Sequence, residues 1–172
     1  MSIKKNFTAK SEKNTAPLAD DIPRTIHNYN RALPWLATAG SLGKKDMNML
    51  KLVGFKTIID LRTASEGTDE ERDIFNDLGL QYENIEVANE ITAEHLKRFT
   101  DILDKADKPV LVHCATANRV GGMLALYHIQ NGMDVDTAME LGRAANMTES
   151  YEQTIRDGLK KKQSSPPKPP SR

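Results

Sequence analysis

The 172-residue chain carries 24 basic and 24 acidic residues and a single cysteine. That length is enough for one domain with a real core. One cysteine excludes an intrachain disulfide and a cysteine-rich zinc site, and no apolar run reaches the length of a membrane span. Charge balance hides an asymmetry: both ends are basic, with four lysines before residue 14 and five basic groups after residue 159. The body between them is net acidic, which excludes a broad nucleic-acid surface and requires any phosphate to be held by a focused local site.

Residues 1–22 are polar and without period, and are expected to form a flexible N-terminal segment. A domain is expected over 23–159, and a Pro-, Ser- and Lys-rich disordered tail over 160–172. Met1-Ser2-Ile3-Lys4-Lys5 has a basic start but no apolar stretch after it, so no signal peptide is visible and the default compartment is cytoplasmic, a processed secreted form remaining compatible.

Within the domain, Leu33 to Gly40 reads as a short strand ending in a turn, with Trp35 as a packing anchor. Ser41 is the expected cap of a helix carrying Met47, Leu50 and Val53, which Gly54 stops. Phe55 to Arg62 is a buried strand, Thr63 to Gly67 a loop, and Thr68 the expected cap of a helix with an acidic first turn. After Gly79 the segment Leu80 to Val87 alternates like a strand. Thr92 then caps a helix with Leu96, Phe99, Ile102 and Leu103 on one face.

The stretch Pro109-Val110-Leu111-Val112-His113-Cys114-Ala115-Thr116-Ala117-Asn118-Arg119-Val120-Gly121-Gly122 follows. It reads as a strand, a tight loop of small residues and a helix start. The helix continues to about Asn131-Gly132; Asp134 begins another, and Thr148 or Ser150 caps a last one reaching Leu159. Alternating strands and helices predict an α/β fold, a central mostly parallel sheet flanked by helices. Ligands bind at the carboxyl ends of strands in such sheets, so Asp60–Arg62, Val87–Glu90 and His113–Arg119 are expected to meet.

The loop after the strand has the makings of an anion cradle, with amides and a helix N-terminus facing inward. Cys114 in such a cradle is expected to be a thiolate, and Arg119 closes the loop.

His113-Cys114-Ala115-Thr116-Ala117-Asn118-Arg119 resembles the phosphate-binding loop of the cysteine-dependent protein phosphatases, most closely a bacterial dual-specificity and protein-tyrosine-phosphatase-like family. Gly54 to Arg62 and Leu80 to Ile85 resemble the same family in order and spacing. The resemblance implies a cysteine-phosphatase-like fold and a metal-independent hydrolase of phosphomonoesters that needs no cofactor. It makes Cys114 the nucleophile of a phosphocysteine intermediate, and Arg119 the group that grips phosphate and stabilises transition-state charge. Amides from Ala115, Thr116, Ala117, Asn118, Arg119 and Val120 would bind the remaining oxygens, and His113 would order the loop.

Three positions depart from the family pattern. Four residues, not five, separate Cys114 from Arg119; Val120 stands where a hydroxyl residue assists the leaving thiolate; and Ala117 stands where glycine is common. The shorter loop offers one fewer amide, and loss of the hydroxyl is expected to slow breakdown of the intermediate. The family's acid loop holds Asn89 and Glu90 with no aspartate, so Glu90 is the candidate general acid. Asp60 is the alternative, unless it and Arg62 form a brace beside the site.

Two further readings compete with the phosphatase. One is a phosphate-binding module with little turnover. The other is a rhodanese-like sulfurtransferase, whose loops also place four residues between cysteine and arginine, although the Gly-His-Ile-Pro-Gly segment typical of rhodaneses is absent. The expected partner is a phosphorylated substrate. Aromatic residues make up only 5% of the chain, and no phosphotyrosine-recognition loop is visible, so phosphoprotein, phospholipid and small-molecule substrates all stay open, as does oligomeric state.

Overall fold

The computed structural model describes residues 14–165. Five strands form one sheet in the order β1-β2-β5-β3-β4. They span Asn30–Leu33 (β1), Leu36–Ala39 (β2), Thr57–Asp60 (β3), Gln81–Asn84 (β4) and Val110–His113 (β5). The first two form an antiparallel hairpin, and all other pairings are parallel. The single strand expected before Gly40 is therefore two, with Pro34-Trp35 at the turn.

Six α-helices cover the sheet: Lys44–Leu52 (α1), Thr68–Asp77 (α2), Ala93–Lys105 (α3), Asn118–Gln130 (α4), Val135–Ala144 (α5) and Glu149–Ser164 (α6). Side chains of a strand alternate between faces, and here the alternation separates two cores. Leu36, Ile59, Val110 and Val112 pack with Phe99 of α3 and Met123 of α4. Ala37, Ile58 and Leu111 pack with Leu50 of α1 and Phe75 of α2. A third, smaller cluster joins α4, α5 and α6 through Ala125, Met139, Met147 and Ile155.

Several boundaries differ from expectation. Residues 14–22 carry the buried Ala16 and Ile22, and Ala16 N–H donates to the Pro34 carbonyl at 2.7 Å. A polar segment is thus tied to the hairpin, while residues 1–13 lie outside the described chain. At the other end α6 runs five residues past the expected stop at Leu159, because Lys160, Lys161, Lys162 and Gln163 are good helix formers whatever their charge. The expected tail beyond Ser165 lies outside the described residues.

Two caps move as well. Helix α1 starts at Lys44, where the Asp46 carboxylate accepts the Gly43 N–H at 2.8 Å, and Ser41 takes no part. Thr68 is the first residue of α2, with Gly67 at φ +92 as its N-cap. The predicted loop before it contains a 3-10 turn, Ala64–Glu66. Thr92 and Asp134 cap α3 and α5 as expected, and Thr148, one of the two candidates, caps α6.

Candidate active site

Strand β5 delivers His113 and Cys114 to the carboxyl edge of the sheet, and alternation sends them to opposite faces. Cys114 follows Val112 into the core under α4 and is fully buried. His113 follows Leu111 toward α2, where its Nε2 lies against Glu71 Oε1 and 3.7 Å from Asp60 Oδ2. The period-2 rule carried this distinction, and it takes the His113 side chain away from the space above the loop.

Between Cys114 and α4 the loop is fixed from outside. Ser41 N–H donates to the Ala115 carbonyl at 2.8 Å. Asn28 and Asn146 side-chain amides both donate to the Thr116 carbonyl, at 3.1 and 2.6 Å. In a trans peptide the N–H points opposite to the C=O, so carbonyls tied outward turn the amides of Thr116 and Ala117 inward. Ala117 makes this turn at φ +67, a left-handed conformation that an alanine adopts at a cost of about 1 kcal/mol. Gly40 completes the fit, since a Cβ there would stand 3.0 Å from the Ala115 carbonyl oxygen.

Helix α4 opens at Asn118, so its first-turn amides and positive dipole end face the same space. The Asn118 side chain is turned aside, accepting the Thr148 N–H at 2.8 Å. Val120 is buried in the core beside Cys114.

Arg119 is held on one edge by Glu66. Its Nη1 and Nη2 donate to the two Glu66 oxygens at 2.9 and 2.6 Å, and Nη1 also donates to the Val87 carbonyl at 3.0 Å. The hydrogen bond to Glu66, opposed by burial and reinforced by the proximity of Cys114, raises the Arg119 pKa, while the bond to Arg119, opposed by burial and reinforced by Thr63, holds Glu66 down to about 2. Glu66 is in turn fixed by the N–H and hydroxyl of Thr63, at 2.8 and 3.0 Å. Nothing in the sequence marked Glu66; the capping pattern Thr63-x-x-Glu66 was its only trace.

A polar cavity of about 660 Å³ opens over this arrangement. Thr116, Asn118 and Arg119 line it from the loop, Glu66 from the 3-10 turn, and Glu90 from the segment after β4. Of the expected meeting of three strand ends, Glu90 and Arg119 share this cavity, whereas Asp60, Arg62, His113 and Cys114 are not among its lining. Tyr151 of α6 lines the same cavity and was not anticipated, since its position depends on how the last helix packs. Burial pushes its hydroxyl up to about 12, the neighbouring Arg119 opposing and Cys114 and Glu90 reinforcing the shift.

Asp60 does not face the cavity. It is fully buried, bonded to the Arg62 guanidinium at 2.8 Å and to the Tyr82 hydroxyl at 2.7 Å. Burial alone would raise its pKa, but the His113 imidazole, Arg62 and Tyr82 outweigh it and hold the carboxyl low. Asp60 thus forms the expected brace with Arg62 and lies away from the cavity. Asp60, Glu71 and His113 bring one potential metal-ligand atom each within 4.8 Å of one another. However, Arg62 Nη2 already bridges the two carboxylates, at 2.8 Å to Asp60 and 2.5 Å to Glu71, and supplies the positive charge there.

Comparison with known proteins agrees with this fold. Solved structures resemble the chain in fold at low identity. A putative phosphatase from Neisseria meningitidis is 22% identical with a TM-score of 0.64, over 73% of this chain and 94% of that one. TpbA of P. aeruginosa, in complex with pTyr, is 17% identical with a TM-score of 0.61, over 91% and 99%. Kinase-associated phosphatase is 16% identical with a TM-score of 0.58, over 76% and 89%. A search of the curated proteins finds no match. Residues 35–163, most of the described chain, match the family described as a DSP-PTPase phosphatase fused to NAD+ kinase, and the chain belongs to that phosphatase family.

Proposed function

We propose that this protein hydrolyses phosphomonoesters through Cys114, without a metal. The supporting observation is the arginine: Arg119 sits beside Cys114, oriented by Glu66, at the mouth of a loop whose carbonyls are tied outward. In this reading the Cys114 thiolate attacks phosphorus, the S–P bond forms and the ester P–O bond breaks. Arg119 and the amides of the loop hold the three equatorial oxygens. Glu90 gives its proton to the leaving oxygen, then takes one from the water that cleaves phosphocysteine to inorganic phosphate.

A second reading is a phosphate-binding module with little turnover. Two observations favour it: Cys114 is fully buried, and Val120, packed into the core, has no hydroxyl to assist release of the thiolate. The family match speaks against the sulfurtransferase reading.

Hydrolysis of an aryl phosphate in the presence of EDTA, compared between wild type and Cys114→Ser, tests the proposal. Turnover that survives chelation and is lost in the variant is expected. Glu90→Gln is expected to flatten the limb of the pH–rate profile that reports the acid. Absence of turnover in wild type, with phosphate still raising Tm, would overturn the enzyme reading in favour of the binding module.

A further inference from the structure

Glu90, Tyr151 and Thr154 belong to two cavities at once. One is the polar cavity over Arg119. The other is an apolar groove of about 300 Å³ between the start of α3 and the length of α6, with Leu126 of α4 among its lining.

Helix α6 gives this groove Tyr151, Thr154, Ile155, Gly158, Leu159 and Lys162, the spacing of a single helical face. At 1.5 Å per residue that face is about 16 Å long, the shape of a chain and not of one ring. The facing wall, Ile91, Thr92, Ala93 and Leu96, is aliphatic but for Thr92. At the far end Lys162 can lay its methylene stem along an apolar chain while its ammonium stays in water.

Two details point to a ligand. Gly158 stands inside α6, where glycine costs about 1 kcal/mol relative to alanine. No turn requires it there, and a Cβ would meet nothing within 4 Å, so its effect is to widen the groove. Tyr151 places a buried hydroxyl, without a hydrogen-bond partner among the described residues, at the seam between the two cavities, close enough to Arg119, Cys114 and Glu90 to feel their charge. A phenol in that position is a donor waiting for an oxygen.

We propose that the site takes phosphomonoesters of long aliphatic alcohols, with phosphate in the cradle, Tyr151 donating to an oxygen at the seam, and the chain lying along α6. The proposal rests on the phosphatase reading of the cradle. It adds the substrate class, which the loop cannot specify because every phosphomonoester has the same head.

Alkylphosphonates test it without requiring turnover, because the P–C bond is not hydrolysed. Binding of methyl-, butyl- and octylphosphonate to the full chain is measured by calorimetry. Affinity should rise about twofold per methylene for a half-open groove, and about fourfold where burial is complete. Octylphosphonate should therefore bind on the order of a hundredfold more tightly than methylphosphonate. In Gly158→Leu, a change that favours the helix, the octyl-to-methyl ratio should fall toward one. Phenylphosphonate should gain less than octylphosphonate. Equal affinities along the series in wild type overturn the chain groove while leaving the cradle intact. Failure of every phosphonate, methyl included, to bind overturns both the groove and the phosphatase reading beneath it.

Discussion

Arg119 is oriented before any anion arrives. A guanidinium carries five N–H donors in a rigid fork. Glu66 takes one from each terminal nitrogen and the Val87 carbonyl takes another. These bonds do not use Nε–H or the second Nη2 hydrogen, the pair of donors that the proposed phosphate would take in bidentate recognition. Because the carboxylate must be ionised to do this, Glu66 sets an acid limit. Its folded pKa of about 2 lies below the ordinary 4.5, so ionised Glu66 stabilises the fold above pH 4.5, and that contribution is lost as pH falls toward 2. Glu66→Gln should therefore lower Tm at neutral pH, with the gap from wild type closing between pH 4.5 and 2. A gap that stays constant across that range would mean the pair contributes nothing through its charge. The same variant should bind phosphate more weakly, since Arg119 becomes free to swing.

At the scale of elements, α4 holds the site together through its own packing. The Gly121-Gly122 pair, next to the loop in sequence, faces the helices and not the anion. A Cβ on Gly121 would stand 2.5 Å from the Gly142 carbonyl oxygen and 2.9 Å from Met147 N, and one on Gly122 would stand 2.6 Å from the Tyr151 ring. Gly121→Ala meets backbone that cannot turn away, so overpacking of about 1–3 kcal/mol should exceed the helix-propensity gain of about 1 kcal/mol. A lowered Tm is the expected reading; an unchanged or raised one would show that α5 shifts at no cost. These packing reasons also divide what the sequence revealed from what it concealed. Apolar periodicity and the caps at Thr92 and Asp134 are local signals, and they located the helices around the cradle. Glu66 and Tyr151 are 53 and 32 residues from Arg119 in sequence, and only the assembled fold brings them beside it. The end of α6 was concealed for a different reason: a lysine run looks like a solvated tail, yet each lysine favours helix. Strand β5 is buried on both faces, so hydrophobicity alone did not say which way His113 points.

Across the whole molecule, the sheet separates two apolar cores, and at its carboxyl edge the core on the α1 and α2 side ends in charge. Asp60 and Arg62 come from β3 and the residues after it, Glu71 from α2 and His113 from β5, all buried, with the half-buried Tyr82 of β4 bonded to Asp60. Burying ions costs several kcal/mol each unless they are paired, and here each carboxylate meets the same guanidinium. The cluster adds little net stability over an apolar core, but it ties together side chains from three parallel strands, just before Cys114 follows the end of β5. It lies beside the proposed cradle and none of its members lines the cavity. Removing one member leaves the others buried and incompletely paired, so Glu71→Gln should cost about 3–5 kcal/mol. Urea denaturation should show a lower midpoint with an unchanged slope if the fold loses stability as a unit. A loss below about 1 kcal/mol would mean that Arg62 and His113 find other partners or water, and that the cluster is not what locks β5 in place. If the cluster sets the cradle, phosphate should raise the midpoint of Glu71→Gln less than that of wild type at the same concentration, because the variant must order the loop before it binds; an equal shift in the two would separate the brace from the cradle.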